Sequence, residues 1–290
     1  MKRLASTLLI LTSLIGVGLA QERVTVRPTD LAHSLDNLPG WRFGAEGVRI
    51  ASSGRLAVGP GQPPIGGGSA AFELLDMTGG MSLQYFSSEL VGLPLGSLTR
   101  LEYCTLVEAA GDNQAVSLQL NFDDDVTDWD TSYKGRLIFE PGRTPGEEIT
   151  VGTWQCWDAL AGYWWGSGSP LNSFQGFDNP GSLIEILSRF PNAGFNSEVG
   201  GLVLKADSGR GSFHGNADAL TLGTSTFEVT FDFEQEPFDR AACYLGGWQN
   251  YGFPNQDQCT RFVNDRDSGG NPWAELDIPP VADPGATSRP

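Results

Sequence analysis

The amino-acid sequence predicts an all-β protein built as a two-sheet antiparallel sandwich. Short apolar-rich segments recur along the chain, and the turns between them draw on 38 glycines and 18 prolines. The clearest segment, residues 115–122 (AVSLQLNF), alternates apolar and polar residues, which is typical of a strand with one face in a core and one wet face. Strands do not alternate with helices, and this argues against a parallel α/β fold.

The first 20 residues have the layout of a cleaved secretory signal. Two basic residues precede an uncharged apolar run at residues 4–19, and Gly18 and Ala20 are the small residues that a signal peptidase accepts. A membrane anchor is the alternative, but the run is short for a span of ~20 residues and it ends in small residues. We therefore expect a secreted, extracellular protein with no membrane span after signal cleavage.

The chain is strongly acidic, with a formal net charge of −17 at pH 7. Removal of the signal takes away two basic residues and no acid, so the mature chain is more negative still. Such a surface repels phosphate backbones and anionic lipids. The charge therefore argues against a nucleic-acid or membrane-surface partner, and it suits a protein that holds divalent cations.

An even number of cysteines behind an export signal predicts disulfides. The four cysteines allow three connectivities. We favour the pairs Cys104–Cys156 and Cys243–Cys259, because each pair then stays within one module. A zinc site is the alternative, but no C-x-x-C occurs and the two histidines are far apart in sequence.

The candidate strands follow one another between the leader and a short C-terminal module. They are predicted at residues 47–51, 55–58, 69–75, 81–86, 100–107, 115–122, 135–140, 153–158, 201–206, 218–222 and 227–233. We assign residues 21–232 to the sandwich. Trp154 would share a strand face with Cys156, so we expect it to pack in the core on the first disulfide.

One short helix interrupts the strands. Its apolar residues fall on one helical stripe, at Leu183, Ile184, Leu187 and Phe190. Asn179 can cap the start of the helix, and prolines stand just after that cap and just past the stripe. We expect the helix to cover an edge or an end of the sheets.

Two segments of the sandwich resemble jelly-roll carbohydrate-binding and lectin-like modules. Residues 66–75 (GGGSAAFELL) resemble the small-residue turn and early strand of these modules, and residues 211–223 (GSFHGNADALTLG) resemble a late strand with a G-x-x-D-x-[ILV] pattern. The resemblance implies a jelly-roll-like sandwich. It also places Asp218 at the acidic position that helps to bind a structural calcium ion in many relatives.

A small disulfide-stapled module follows at residues 233–265. Within it, residues 239–264 resemble a C-terminal motif of uncharacterised secreted bacterial proteins, with the pattern Cys, Gly-Gly-Trp, aromatic, Asn-Gln, Cys and Phe-Val-Asn. So short a module cannot bury enough apolar surface alone. We interpret its disulfide as a clamp and Trp248 as an anchor on the sandwich or on a secreted partner, in preference to a ligand site. Residues 266–290 are predicted to be a disordered tail.

Carboxylates are concentrated in residues 123–130 (DDDVTDWD). Calcium takes six to eight hard oxygen ligands, so the composition makes this segment a candidate calcium loop. The alternative is an acidic turn in water, because the spacing lacks the central Gly and the closing Glu of an EF-hand. The predicted metal ligands are Asp123, Asp125, Asp128, Asp130 and, from the jelly-roll resemblance, Asp218.

Aromatic residues between glycines are the best ligand-contact candidates. Tyr163, Trp164 and Trp165 lie in the segment GYWWGSG, and exposed aromatic faces stack on sugar rings. Adjacent residues of an extended chain point in opposite directions, so we expect one tryptophan inside and one outside. Trp129 and Tyr133, beside the acidic loop, are the next candidates.

Enzyme motifs are weak. Ser212 and His214 lie close together, but no G-x-S-x-G occurs and no acid is assigned to the histidine. We therefore expect a secreted, non-catalytic protein that binds an extracellular glycan or a surface protein, with calcium as a structural ion. The alternatives are a polysaccharide-acting glycoside hydrolase on the same scaffold, which needs two carboxylates about 5 to 9.5 Å apart, and a structural surface or matrix component.

Overall fold

The protein is a β-sandwich of two packed sheets, as the sequence predicts. The computed structural model describes residues 21–31, 40–47, 52–76, 78–111, 113–176, 179–196, 201–207 and 211–268. The predicted signal at residues 1–20 and most of the predicted tail lie outside these ranges. Within them, no helix is both long enough and apolar enough to cross a membrane.

In the described ranges, the strands and α-helices number fifteen and two. In chain order they are β1 Gln21–Val26, β2 Gly40–Gly47, β3 Ser52–Val58, β4 Gly68–Leu74, β5 Gly79–Phe86, β6 Leu98–Ala110, β7 Ser117–Asp123, β8 Arg136–Phe139, β9 Trp154–Asp158, β10 Tyr163–Ser167, β11 Gly181–Ser182, α1 Leu183–Arg189, β12 Gly194–Phe195, β13 Leu202–Ala206, β14 Phe213–Thr224, β15 Glu228–Phe233 and α2 Gln256–Asp267.

The first sheet has seven strands, in the order β1-β15-β14-β4-β3, with β6 paired to β14 and β9 paired to β6. The second has eight strands, in the order β11-β10-β8-β7-β13-β5-β2, with β12 paired to β7. The pairs are antiparallel except one: β1 lies parallel to β15. The first strand of the described chain thus closes the edge of a sheet beside the last strand.

The core fills the space between the sheets. Leu101 and Tyr103 of β6 face it from one sheet, and Leu118 and Leu120 of β7 face it from the other. The Tyr103 hydroxyl donates to the carbonyl oxygen of Val116 at 2.8 Å, so this buried polar atom is satisfied. Fully burying side chains of this size stabilises the fold by about 1.5–3 kcal/mol each.

Strand β7 differs from the prediction on one face. Its apolar residues point into the core as the alternation predicts, but the expected wet face is shielded, with Ser117, Gln119 and Asn121 only 2%, 1% and 3% exposed. The prediction of a wet face is therefore wrong for β7. Period-two alternation identifies which residues share a face, whereas the exposure of that face depends on tertiary structure.

Helix α1 forms where it is predicted, with a different cap and a shifted buried face. Ser182, not Asn179, caps it: the Ser182 hydroxyl accepts from the Glu185 amide, and Glu185 reaches back in a capping box. Ile186 is fully buried and Ile184 is 77% exposed. Because the helix starts at Leu183, its buried face is formed by Leu183, Ile186 and half-buried Leu187 rather than by Ile184.

The predicted disulfide Cys104–Cys156 is confirmed and joins directly paired residues of β6 and β9. It lies on the side away from the core, with Cys156 exposed. The next pair, Tyr103 and Trp157, faces the core, so Trp157 is the core residue and the prediction for Trp154 is wrong. Half-buried Trp154 instead donates its indole N–H to the carbonyl of Pro60 at 3.0 Å.

The C-terminal module has a small core of its own around the predicted disulfide Cys243–Cys259, which is also confirmed. Cys243 and Cys259 pack with Phe262 and Val263 of α2, and Trp248 and Phe253 pack against them. Helix α2 was not predicted, and it continues to Asp267, past the expected end of the module at residue 265.

The module packs on the sandwich. The guanidinium of buried Arg27 lies 4.3 Å from the centre of the Phe253 ring, a cation–π contact, and donates to the carbonyl of Gln235 at 3.2 Å. Gly67 lies so close to the module that a Cβ atom there would come within 2.4 Å of the Gln249 carbonyl oxygen. These contacts agree with a module that is anchored internally.

Candidate functional site

The outer side of the eight-stranded sheet carries an ordered array of polar side chains, which we call the polar face. Leu118 and Leu120 belong to the core, whereas Gln119 between them points the other way. The strand register places six residues in a first row across the sheet: Arg42, Gln84, Val203, Gln119, Ile138 and Trp165.

Two further rows flank the first. One contains Gly44, Ser82, Lys205 and Ser117, and the other contains Asn121, Arg136 and Ser167. Tyr163 lies on the same side of β10 as Trp165, two residues away. At ~4.8 Å between neighbouring strands, the five steps from β10 to β2 make the polar face roughly 24 Å wide.

Hydrogen bonds hold the centre of the polar face in one arrangement. Arg136 donates to Gln119 Oε1 at 3.0 Å and to Asn121 Oδ1 at 3.1 Å. The Gln119 amide donates to the Ser117 hydroxyl at 3.1 Å, and that hydroxyl donates to the carbonyl of Lys205 at 3.0 Å. The donors and acceptors are therefore oriented before any ligand binds.

The side of the face at β5 and β2 is held in the same way. The Gln84 amide donates to the Ser82 hydroxyl at 2.8 Å, and Arg42 donates to Gln84 Oε1 at 3.2 Å. The Arg42 guanidinium also lies 4.5 Å from the centre of the Phe86 ring. The three rows contain Arg42, Arg136 and Lys205, and the Lys205 ammonium lies 3.3 Å from Asp207 Oδ1 at the end of its row.

The aromatic residues predicted to contact ligand are distributed over three environments. Tyr163 and Trp165 are half-buried on the polar face. Trp164 is fully buried, 5.5 Å from the Phe139 ring, and donates its indole N–H to the carbonyl of Ala159 at 2.8 Å. The prediction of a ligand contact is therefore wrong for Trp164, since adjacent strand residues face opposite sides.

Trp129 and Tyr133 lie in the loop that joins β7 to β8, at the end of the polar face marked by Asn121 and Arg136. Trp129 is 99% exposed and Tyr133 is 51% exposed. The loop is tied down by the Asn196 amide, which donates to the carbonyl oxygens of Thr131 and Ser132 at 3.2 and 3.0 Å. Both aromatics therefore lie beyond the ends of β7 and β8, and their role as ligand contacts stays a prediction.

The acidic loop satisfies many of its carboxylate oxygens locally. Asp123, Asp125, Asp128 and Asp130 each accept from a backbone N–H two residues further on, at 2.7–3.1 Å. The Lys134 ammonium contacts Asp130 and lies 3.8 Å from Asp124. Hydrogen bonds from Lys134 and Ser132 lower the pKa of Asp130 to about 2, whereas burial raises the pKa of Asp123.

The predicted metal ligands do not converge. Asp218 lies on β14 of the seven-stranded sheet, whereas Asp123 lies on β7 of the other sheet. In the part of the chain that the structure describes, no group of three His, Cys, Asp or Glu residues has the geometry to hold a metal ion. The described geometry thus does not fit a calcium site formed by these carboxylates together, and calcium binding stays a prediction of the composition.

Asp218 belongs to a cluster of buried carboxylates, Asp218, Asp232 and Glu234, on the outer side of the seven-stranded sheet. The oxygens of Asp218 accept from the backbone N–H groups of Ile65 and Phe233 at 3.3 and 3.2 Å. Burial, and next the charge of Asp232, raises the pKa of Asp218 well above its ordinary value. We call this group the carboxylate cluster.

Glu234 is the most closely enclosed member of the carboxylate cluster. It is 0% exposed and accepts from the Gly67 amide at 2.7 Å. Gly66, with φ +64°, lies so close that a Cβ atom there would be 1.7 Å from Glu234 Oε1. Burial, and next the charge of Asp232, raises the pKa of Glu234 to about 8. Asp232 Oδ1 and Glu234 Oε2 are buried without a hydrogen-bond partner.

No sequence pattern is sufficient to predict the carboxylate cluster or the full polar face. Asp232 and Glu234 alternate with Phe231 and Phe233, which identifies a strand face but not that loops and the module cover it. No family model matches this chain, and neither the curated proteins nor the solved structures contain a match.

Proposed function

We propose that the protein is a secreted, non-catalytic binding protein whose polar face recognises an extracellular glycan. The observation that carries the proposal is the array itself: rows of fixed amide, hydroxyl and guanidinium groups run across the sheet and end at Tyr163 and Trp165. The groups of the array that a ligand can reach are the half-buried side chains of Arg42, Gln84 and Arg136, together with Tyr163 and Trp165. The shielded Gln119 and Asn121 accept from Arg136 and fix its direction.

The chemistry of the polar face suits a sugar chain. Amide and hydroxyl groups both donate and accept, as sugar hydroxyls do, and indole and phenol rings stack on the apolar face of a sugar ring. The half-buried Arg42 and Arg136 favour neutral or acidic glycans over cationic polymers. The groups that a ligand can reach stand towards both sides of a face roughly 24 Å wide, so a ligand that contacts both sides spans several sugar units.

Binding is favoured over hydrolysis by the composition of the rows. Glycoside hydrolysis needs two carboxylates about 5 to 9.5 Å apart across the scissile bond. The rows of the polar face contain amides, hydroxyls and cations but no such pair. The proposal therefore assigns retention of a glycan, not its cleavage, to this face.

A glycan-array screen of residues 21–290 tests the proposal directly. We expect selective binding to polysaccharides, and we expect Trp165→Ala to weaken the affinity about tenfold or more, because it removes a ring from the array. Phe238→Ala is the matched control, since Phe238 is an 87% exposed aromatic of the C-terminal module. An array without hits, or equal losses in the two variants, contradicts the proposal.

A further inference from the structure

A cavity of about 970 Å³ lies between the two sheets, on the core side and therefore separate from the polar face. Its walls come from β1 and β15 of the seven-stranded sheet and from β2 and β5 of the eight-stranded sheet. Val24, Val229 and Phe227 are half-buried lining residues, so the cavity reaches the surface at this edge of the sandwich. Its volume lies at the upper end of the range for small-molecule sites.

The floor of the cavity is aromatic. The Trp41 ring stacks on the Tyr85 ring at 4.7 Å between centres and meets the Phe231 ring edge to face at 5.0 Å. Such a floor favours an apolar ligand body, and the fixed rings cost little further ordering when a ligand binds.

The rim of the cavity is acidic. Glu22 and Glu89 are exposed lining residues. Asp30 and Glu228 also line the cavity, but Asp30 accepts from the Arg27 amide at 2.7 Å and Glu228 accepts from Arg100 at 2.8 Å, so the negative charge of the rim comes mainly from Glu22 and Glu89. Burial raises the pKa of the Tyr85 hydroxyl, and the charges of Glu89 and Glu22 raise it further, which places these carboxylates within electrostatic reach of the floor. Carboxylates here repel anionic ligands and tolerate neutral or cationic ones.

We infer that this cavity binds a small apolar molecule with a neutral or cationic polar end. Two independent features define the class: the aromatic floor selects the apolar body, and the acidic rim disfavours fatty-acid carboxylates and other anions. This site does not depend on the glycan-binding proposal, because the two ligands would lie on opposite sides of the eight-stranded sheet.

Two fluorescent probes with the same ring system test whether the cavity binds an apolar molecule and whether it disfavours a negative charge. N-phenyl-1-naphthylamine is neutral, and 8-anilinonaphthalene-1-sulfonate carries a sulfonate. We expect saturable fluorescence enhancement with the neutral probe and about tenfold weaker binding of the anionic probe. E22Q/E89Q should raise the affinity for the anionic probe and leave that of the neutral probe unchanged. Equal binding of both probes by the unsubstituted protein would overturn the charge assignment.

A cavity-filling variant locates the site. Val229→Trp places a large ring among the lining residues and should weaken the neutral probe about tenfold or more. Val151→Trp, the same change at a 59% exposed position outside the lining, is the matched control and should have no effect. Thermal melting checks that both variants fold. Absence of saturable binding, or retention of full affinity in folded Val229→Trp, overturns the inference.

Discussion

Glu234 connects the sandwich with the C-terminal module. Its carboxyl accepts from Gly67 in the turn before β4, and Gly252 of the module lies so close that a Cβ atom there would be 2.5 Å from Glu234 Oε1. Asp232 and Arg27 also act on it electrostatically. At this position protonation of the carboxyl, rather than a full ion pair, offsets much of the free-energy cost of burying it.

The raised pKa of Glu234 predicts that the protein loses stability as pH rises. The folded-state pKa is about 8, against 4.5 for an exposed glutamate, so the folded state binds this proton more tightly than the unfolded state. The stabilisation is full below about pH 4.5 and is lost as pH rises to about 8, by at most about 5 kcal/mol. Asp218 shifts in the same direction.

Glu234→Gln should flatten this decline, because glutamine keeps a neutral acceptor at the position. The measurement is the free energy of unfolding in urea at about pH 5 and about pH 8. Glu148→Gln, at an exposed position, is the matched control. Unfolding free energies of Glu234→Gln that fall with pH as steeply as those of the control would refute the assignment.

Substitutions of Trp164 and Trp165 are expected to have different effects, the first on the stability of the fold and the second on glycan binding. Trp164→Ala removes a fully buried ring and should cost about 3–5 kcal/mol of stability. Trp165→Ala, on the polar face, should cost less stability and should weaken glycan retention. Urea unfolding and retention on an immobilised polysaccharide measure the two effects. If Trp165→Ala destabilises the protein as much as Trp164→Ala, the two-sided arrangement is incorrect.

At the scale of elements, the C-terminal module, which contains the short 3-10 helices Arg240–Cys243 and Gly247–Tyr251 and helix α2, depends on its disulfide. The disulfide Cys243–Cys259 closes a loop with a sequence separation of 16, for which chain entropy gives about 3 kcal/mol. C243S/C259S should therefore loosen the module while the sandwich stays folded, and hydrogen exchange should show faster exchange for α2 than for β7.

The matched control is C104S/C156S, which removes the other disulfide and leaves the module intact. Its effect should appear in β6 and β9, which that disulfide joins. If hydrogen exchange in C243S/C259S became faster evenly over the whole chain, the conclusion that this disulfide stabilises only the C-terminal module would be contradicted.

The elements also show how far the sequence could be interpreted. The alternation in β7 correctly predicted which residues point into the core, because the side-chain period of a strand is fixed by backbone geometry. It could not predict that Gln119 and Asn121 are shielded, since their exposure is set by residues distant in sequence. The existence of helix α1 was predicted, although its cap and its buried face differ from the prediction. Helix α2 was not predicted, because the contacts that stabilise α2 come from the disulfide and Phe253.

At the scale of the whole molecule, the candidate site could be predicted only in part. Tyr163 and Trp165, which lie on the polar face, were singled out because adjacent aromatics between glycines stand out in a sequence; their contact with a ligand stays a prediction. Their partners on the polar face come from strands far apart in the chain, such as Arg42 on β2 and Arg136 on β8, and only the register places them in neighbouring rows. Glycine, serine and glutamine at such positions carry no signal on their own.

Calcium is tested on the intact protein by thermal melting. If the composition of the acidic loop reports a bound ion, calcium chloride should raise the melting temperature of residues 21–290 and chelation should lower it. D125N/D130N should remove the response, because both residues would supply oxygens. A melting temperature that is the same with calcium and with chelator rejects calcium as a structural ion.

The parallel pairing of β1 with β15 has a consequence for how the chain acquires its structure. Gln21 of β1 bonds Glu228 of β15, residues 207 positions apart. A nascent chain that has not yet been extended through residue 233 has nothing for its opening segment to pair with, so assembly of that sheet edge must wait until synthesis is nearly complete. Any fragment that stops short of β15 would leave its beginning without a partner.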